Sequence, residues 1–190
     1  VKKKRIGVLA LQGDYVKHMA MLISCDADAF ALKTVRDIDS IDGLVLPGGE
    51  STTIGKLLSR FGLFDELGRR MAAGLPVMGT CAGLILLAQD LVKYDQPRFG
   101  VLDVEVTRNA YGPQIESFEA DIHVPEIGGN PVRAVFIRAP VITRIGKGVE
   151  VLASFEDSPV IVRQGKILGL SFHPELTDDS RIHEYFISLI

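Results

Sequence analysis

Cys81 sits at the apex of Gly79-Thr80-Cys81-Ala82-Gly83, a G-x-C-x-G turn between two apolar stretches. A thiol on a sharp strand-to-helix turn stands clear of its neighbours, and glycines two positions to either side let chain and substrate approach it. The N-terminus of the helix that follows offers unpaired N–H groups and a dipole, which favour a thiolate and, later in a reaction, an oxyanion. An inert, small buried cysteine fits the same pattern, because most free cysteines are of that kind and glycine-flanked turns are common in α/β chains. Ser171-Phe172-His173-Pro174-Glu175 decides between them. In an extended segment residues i and i+2 share a face, so His173 and Glu175 come together, with Pro174 stiffening the backbone between them. A carboxylate beside an imidazole fixes its tautomer and stabilises its protonated form, the third-group role in a nucleophilic triad. The alternative is a strand-end histidine that merely touches an acid; an elbow cysteine in the same chain favours Cys81, His173 and Glu175 as catalytic residues.

Pro47-Gly48-Gly49-Glu50-Ser51 is the third element. A glycine pair after a strand can turn backbone N–H groups toward an anion, either a phosphate or the oxyanion of a tetrahedral intermediate. It lacks the Lys-Ser/Thr ending of a Walker A loop, and with Cys81 ending the next strand the oxyanion reading fits better. No His, Cys, Asp or Glu set has metal-ligand spacing, so no metal is expected. His18, His123 and His183 have no acid at comparable spacing and read as residues of helix surfaces or a sheet face. Cys25, in Ser24-Cys25-Asp26, has no basic neighbour and reads as a bystander.

The elements that must position these groups alternate. Residues 5–12, 29–35 and 42–47 read as strands and residues 15–23 as a helix. A long helix is predicted over 54–73 with an interruption near Gly62, then a strand from 76 into the elbow and a helix over 84–91. This alternation implies βαβ units and a parallel sheet with right-handed crossovers. After Pro97 short strands follow closely (101–107, 118–124, 132–137, 149–155, 159–163 and 167–172), with a hairpin signal at Gln164-Gly165-Lys166 and a closing helix over 178–190. The expected fold is α/β, a mostly parallel central sheet flanked by helices with an antiparallel part in the second half, in one domain over residues 1–190.

Composition removes several function classes. A net charge of −3 makes no electrostatic case for nucleic acid, and Lys2-Lys3-Lys4-Arg5 reads as a solvated lead-in to the first strand. The apolar stretch after it is too short for a signal, and no segment has the apolar length to span a bilayer. Two cysteines without a disulfide framework point to a reducing cytoplasm, where a working thiol survives.

Leu9-Ala10-Leu11-Gln12-Gly13-Asp14, residues 46–53 (Leu-Pro-Gly-Gly-Glu-Ser-Thr-Thr), the elbow, Arg108-Asn109, Phe136-Ile137-Arg138-Ala139-Pro140 and residues 171–177 (Ser-Phe-His-Pro-Glu-Leu-Thr) together resemble the glutaminase subunits of pyridoxal 5'-phosphate synthase, within the class I (triad) glutamine amidotransferases. The resemblance runs from Ile6 to the end and implies the flavodoxin-like fold of that superfamily. It also implies hydrolysis of L-glutamine to L-glutamate and ammonia without a cofactor, Cys81, His173 and Glu175 forming the triad. By the same resemblance the N–H groups of Gly49 and Ala82 form the oxyanion hole, and Gly49, Glu50, Ser51, Arg108, Ile137 and Arg138 hold the glutamine. An arginine suits the α-carboxylate because its planar fork donates two parallel hydrogen bonds; read without the resemblance, Arg108 and Arg138 are surface ion-pair residues. Pro113 replaces the arginine of the family's Gly-Arg-Gln, so that side chain's contact is not carried over. The implied partner is a synthase subunit in a larger hetero-oligomer. Independently of the family, free ammonia is mostly protonated near neutral pH and must reach its acceptor sheltered from solvent, and the chain has no length to spare for an acceptor domain. A glutaminase serving another amidotransferase, a γ-glutamyl hydrolase or cysteine peptidase on the same scaffold, and a non-catalytic binding subunit are the competing readings.

Overall fold

The structure, a computed structural model, describes residues 2–108 and 117–190. Asn109 and Gly112-Pro113-Gln114 lie outside the described residues. The chain runs β1 (Arg5–Leu9), α1 (Tyr15–Ser24), β2 (Asp28–Leu32), α2 (Val35–Ile38), β3 (Gly43–Leu46), α3 (Ser51–Arg60), α4 (Leu63–Ala72), β4 (Val77–Thr80) and α5 (Ala82–Leu87). It continues through β5 (Ala88–Leu91), β6 (Leu102–Thr107), β7 (Ser117–Ile122), β8 (Val132–Ile137), β9 (Val141–Ile145), β10 (Glu150–Phe155), β11 (Ser158–Gln164), β12 (Ile167–Leu170) and α6 (Arg181–Ser188).

Seven strands form the main sheet in the order β10-β11-β12-β4-β3-β1-β2. From β12 to β2 every neighbouring pair is parallel, while β11 and β10 are added antiparallel at one edge. In chain order the parallel strands read 2-1-3-4-5, the flavodoxin-like arrangement, whose ligands bind beyond the carboxyl ends of the strands. Strands buried on both faces need apolar residues at every position, and β3 and β4 are buried throughout. Their side chains alternate between two cores. Leu44, Leu46 and Val77 join the core under α3, α4 and α5, whereas Val45 and Met78 join the core that contains Leu22 of α1 and Phe186 of α6. Smaller sheets, β5-β6-β9 and β7-β8, complete the second half. Among the described residues no helix is long and apolar enough to cross a membrane.

Several elements depart from the sequence reading. The helix expected over 84–91 ends at Leu87, because Ala88 turns extended (φ −59°, ψ 143°) and pairs with Leu102 as the start of β5. A short apolar run looks alike in a buried helix and a buried strand, and here pairing with β6 decides. β9 was not anticipated; it is held by an antiparallel ladder to β6 rather than by any local signal. The strand expected over 29–35 stops at Leu32, and α2 follows it. The interruption expected near Gly62 is present and parts α3 from α4, but the first of the two helices begins earlier than expected, at Ser51.

Candidate active site

The loops after β1, β3, β4 and β12 leave the same edge of the sheet, which brings their residues together. Cys81 follows β4 directly and takes φ 51°, ψ −105°, a left-handed conformation that costs a non-glycine residue about 1–3 kcal/mol. The strain is held by the sheet on one side, where its N–H donates to the Leu170 carbonyl (2.9 Å). On the other side the Ile85 N–H donates to the Cys81 carbonyl (3.3 Å) and starts α5. Gly83 lets α5 lie on β3: a Cβ there would stand 2.0 Å from the Leu46 carbonyl oxygen. Gly48 serves the facing loop in the same way, since a Cβ there would stand 2.4 Å from Cε1 of the His173 ring.

His173 leaves β12 in extended conformation (φ −107°, ψ 91°), with its N–H donating to the Val135 carbonyl (2.9 Å). A single 3-10 turn, Pro174–Leu176, then folds Glu175 back onto the ring, so the two meet through a turn rather than along a strand. His173 Nδ1 lies 2.7 Å from Glu175 Oε1, and both residues are buried. Burial works against charge on His173, but hydrogen bonds and charge from Cys81 and Glu175 outweigh it and raise it to about 10. Charge on the ring is therefore favoured at neutral pH, and Glu175 keeps Nδ1 as a protonated, donating nitrogen. Burial likewise opposes charge on Glu175; His18 and the bond from His173 prevail and hold it below the usual carboxylate range.

Cys81 Sγ lies 3.7 Å from the Ile137 carbonyl oxygen, which accepts from it only while the thiol is protonated. That strand end is brought over the elbow by aromatic packing: Phe136 of β8 stacks on Phe118 of β7 (4.5 Å between centroids) and leans on Phe172 (5.5 Å). Such pairs contribute about 0.5–1.5 kcal/mol each beyond their buried area.

A cleft of about 500 Å³ opens above Cys81, lined by Gly49, Glu50, Ser51, Ala82, Arg108, Ile137, Arg138 and His173 among others. Every residue singled out from the sequence is thus at the cleft except Glu175, which sits behind His173. Arg108 is held in place: its guanidinium donates to Thr52 Oγ1 (3.2 Å) and Gln96 Oε1 (3.5 Å) and lies 5.3 Å from the Tyr94 ring centroid. It also faces Glu50 at 3.9 Å, an ion pair formed at the edge of the cleft that Arg108 lines. Arg138 takes a left-handed backbone (φ 44°) at the end of β8.

Sequence reasoning missed other residues. Gln12 lines the cleft and its Oε1 accepts from the Glu50 N–H (2.9 Å), bracing the glycine loop; its position just after β1, at the shared sheet edge, was the available signal. Gln96 Oε1 gathers Ser51, Thr52 and Arg108, and no local pattern marks it. The placing of His18 and His183 on helix surfaces is overturned. Both are fully buried, facing inward from α1 and α6, with His18 Nε2 3.3 Å from Glu175 Oε2. His123 is exposed beyond the end of β7, and Cys25 is half-buried after α1, away from the cleft.

The model of the SNO glutamine amidotransferase family matches residues 8–190. Curated relatives include the pyridoxal 5'-phosphate synthase subunit PdxT of Pelotomaculum thermopropionicum, 53% identical over 183 residues (96% of this chain, 93% of that protein). The subunit of the same name from Thermotoga maritima is 48% identical over 186 residues (98% and 99%). A crystal structure described as a glutamine amidotransferase superposes with a TM-score of 0.93 at 50% identity, covering 97% of each chain. PurLQS of Thermotoga maritima, at 16% identity with a TM-score of 0.73 and coverage of 98% and 99%, shares the fold.

Proposed function

The chain belongs to the SNO glutamine amidotransferase family, and we propose that it hydrolyses L-glutamine at Cys81, with residues 1–190 acting as one glutaminase domain. The ammonia passes to the synthase subunit of pyridoxal 5'-phosphate synthase, with which the chain forms a hetero-oligomer; the relatives' names call each of them a subunit of that enzyme. The observation that supports the chemistry is a strained elbow cysteine beside an imidazole that is itself hydrogen-bonded to a buried carboxylate.

In this reading the Cys81 sulfur attacks the side-chain amide carbon, and the carbonyl π pair moves onto oxygen. The N–H groups of Gly49 and Ala82 receive that oxyanion, Ala82 from the first position of α5. As the oxyanion collapses the C–N bond breaks, and His173 gives its Nε2 proton to the leaving nitrogen, releasing ammonia and a γ-glutamyl thioester. His173, now neutral, takes a proton from water, whose oxygen attacks the thioester; a second oxyanion forms, and its collapse expels the Cys81 thiolate and leaves L-glutamate. Glu175 keeps Nδ1 protonated throughout, so that Nε2 is the atom that cycles. Arg108, with Arg138 and the segment Gly49-Glu50-Ser51, recognises the α-carboxylate and α-amino ends, and Ile137 closes the cleft over the thiol. A reducing cytoplasm is the setting a free catalytic thiol requires.

The test is glutamate release from L-glutamine by the purified chain, alone and with the synthase subunit, alongside Cys81→Ala. Release that rises with the synthase and disappears in the variant is expected; activity surviving in Cys81→Ala, or hydrolysis of γ-glutamyl peptides in preference to glutamine, overturns the reading.

A further inference from the structure

Behind the triad lies a second set of titratable groups that the mechanism above does not use. His18 of α1 and His183 of α6 are both 0% exposed, and their Nδ1 and Nε2 atoms, respectively, lie 2.9 Å apart. On its other side, His18 Nε2 stands 3.1 Å from Thr80 Oγ1 and 3.3 Å from Glu175 Oε2. Thr80 immediately precedes the nucleophile. Two buried atoms in this set have no aligned hydrogen-bond partner, Glu175 Oε2 and His183 Nδ1.

Those two atoms decide the tautomers. A neutral imidazole has one donor and one acceptor nitrogen. If His18 donated from Nδ1 to His183, its bare Nε2 would set a lone pair against the charged Glu175 Oε2. His183 would then carry its proton on Nδ1 and leave a buried N–H with no acceptor, the rarest kind of orphan in folded proteins. If His183 donates from Nε2 to His18 Nδ1, His18 points its Nε2–H at Thr80 Oγ1, with Glu175 Oε2 3.3 Å from the same nitrogen but off the N–H direction, and the atom left bare on His183 is only a lone pair. The second arrangement puts the positive end of an N–H dipole, rather than a lone pair, beside the carboxylate.

Resting on the triad reading above, we infer that His18 is a positioning residue for that triad: bound to Thr80, its Nε2–H sets a neutral dipole beside the second oxygen of Glu175, and His183 fixes the His18 tautomer that makes this possible. The pair works because it is neutral. A charged His18 would compete with His173 for Glu175, whereas a neutral N–H dipole keeps Glu175 ionised and leaves its charge to the catalytic imidazolium. The titratable groups facing the pair are Glu175 and His173 from the loop after β12 and Asp14 at the start of α1. Burial outweighs the acids among them and holds both histidines below the usual value, His183 at about 3.

Two measurements test this. The first is a long-range ¹H–¹⁵N spectrum of the intact, histidine-labelled chain, which reads tautomers without any variant. His18 and His183 are expected neutral and protonated on Nε2 at pH 7; a His18 protonated on Nδ1, or an imidazolium, overturns the inference. The second compares His18→Gln, whose amide nitrogen reaches the position of Nε2, with His18→Asn, which reaches only that of Nδ1. The readout is the pH dependence of Cys81 alkylation by iodoacetamide, with the Cys81 peptide quantified separately from Cys25 by mass spectrometry. In His18→Asn the acid limb moves up by about one pH unit as Glu175 loses the N–H dipole beside it, and in His18→Gln it returns toward that of the parent chain. Equal shifts in the two variants point to mere packing and sink the idea, as does no shift in either. Neither measurement depends on turnover; the triad reading is judged separately, by glutamate release from the unmodified complex.

Discussion

Gly83→Ala sets local preference against tertiary packing. Gly83 is the second residue of α5, and alanine is favoured over glycine in helices by up to about 1 kcal/mol, so helix propensity alone expects a more stable protein. The structure expects the opposite. The added Cβ would stand 2.0 Å from the Leu46 carbonyl oxygen and 2.8 Å from the Leu46 carbonyl carbon, both inside the 3.0 Å below which Cβ contacts essentially do not occur. Both opposing atoms are backbone of β3, a strand paired on both sides, so relief must come from α5 moving outward. Overpacking of this kind costs about 1–3 kcal/mol. Because Ala82 N–H and Cys81 ride on the same turn, a displacement near 1 Å also misplaces the proposed oxyanion donor and lowers turnover by about 10²-fold. Gly68→Ala in α4 is the control, since its Cβ would meet nothing closer than Phe99 Cδ1 at 3.8 Å. Urea denaturation and synthase-stimulated glutamate release should find Gly68→Ala as stable as the parent or more so and fully active, with Gly83→Ala destabilised and nearly inactive. A Gly83→Ala protein as stable and active as the parent would refute the argument that backbone approach, not helix preference, governs the elbow.

Stability should peak near neutral pH. The folded chain holds His18 and His183 neutral by burial, His183 down to about 3 from 6.5, so unfolding takes up protons and stability falls as pH drops from about 6.5 toward 3; Glu175, depressed below 4.5 despite its burial, adds to the loss near the bottom of that range. His173 acts in the other direction, because despite burial Cys81 and Glu175 raise it to about 10, and its contribution, complete below 6.5, is lost as pH rises through 10. Denaturation midpoints at pH 4, 5, 7 and 9.5 check this, and a flat profile between 7 and 4 contradicts it. Arg108→Lys keeps the charge but not the planar fork or its bonds to Thr52 and Gln96. It should raise KM for glutamine about 5- to 30-fold with kcat little changed, and steady-state kinetics showing a fall in kcat alone would remove Arg108 from substrate binding.

Much of this protein was legible along the chain because the relevant signals are local. Alternating strand and helix patterns declared a parallel sheet, and the continuous apolar character of β3 and β4 declared that both faces are covered. The elbow and the His-Pro-Glu triplet are short motifs whose chemistry follows from residue type and spacing, so Cys81, His173 and Glu175 could be grouped before any coordinates. Arg108 and Ile137-Arg138 were legible through family resemblance alone, since an exposed arginine and a strand end carry no chemistry of their own.

What the tertiary structure decided is whatever depends on the meeting of distant segments. Gln96 gathers Ser51 and Arg108 only because α3 packs beside its loop, and β5 replaces the end of a predicted helix only because β6 is there to pair with it. His18 and His183, 165 residues apart, read as surface histidines on two amphipathic helices. Helical periodicity says that a residue faces inward but not what it meets there. It is the parallel sheet, by seating α1 and α6 on one face behind the carboxyl end of β12, that turns two unremarkable histidines into the buried backing of Glu175.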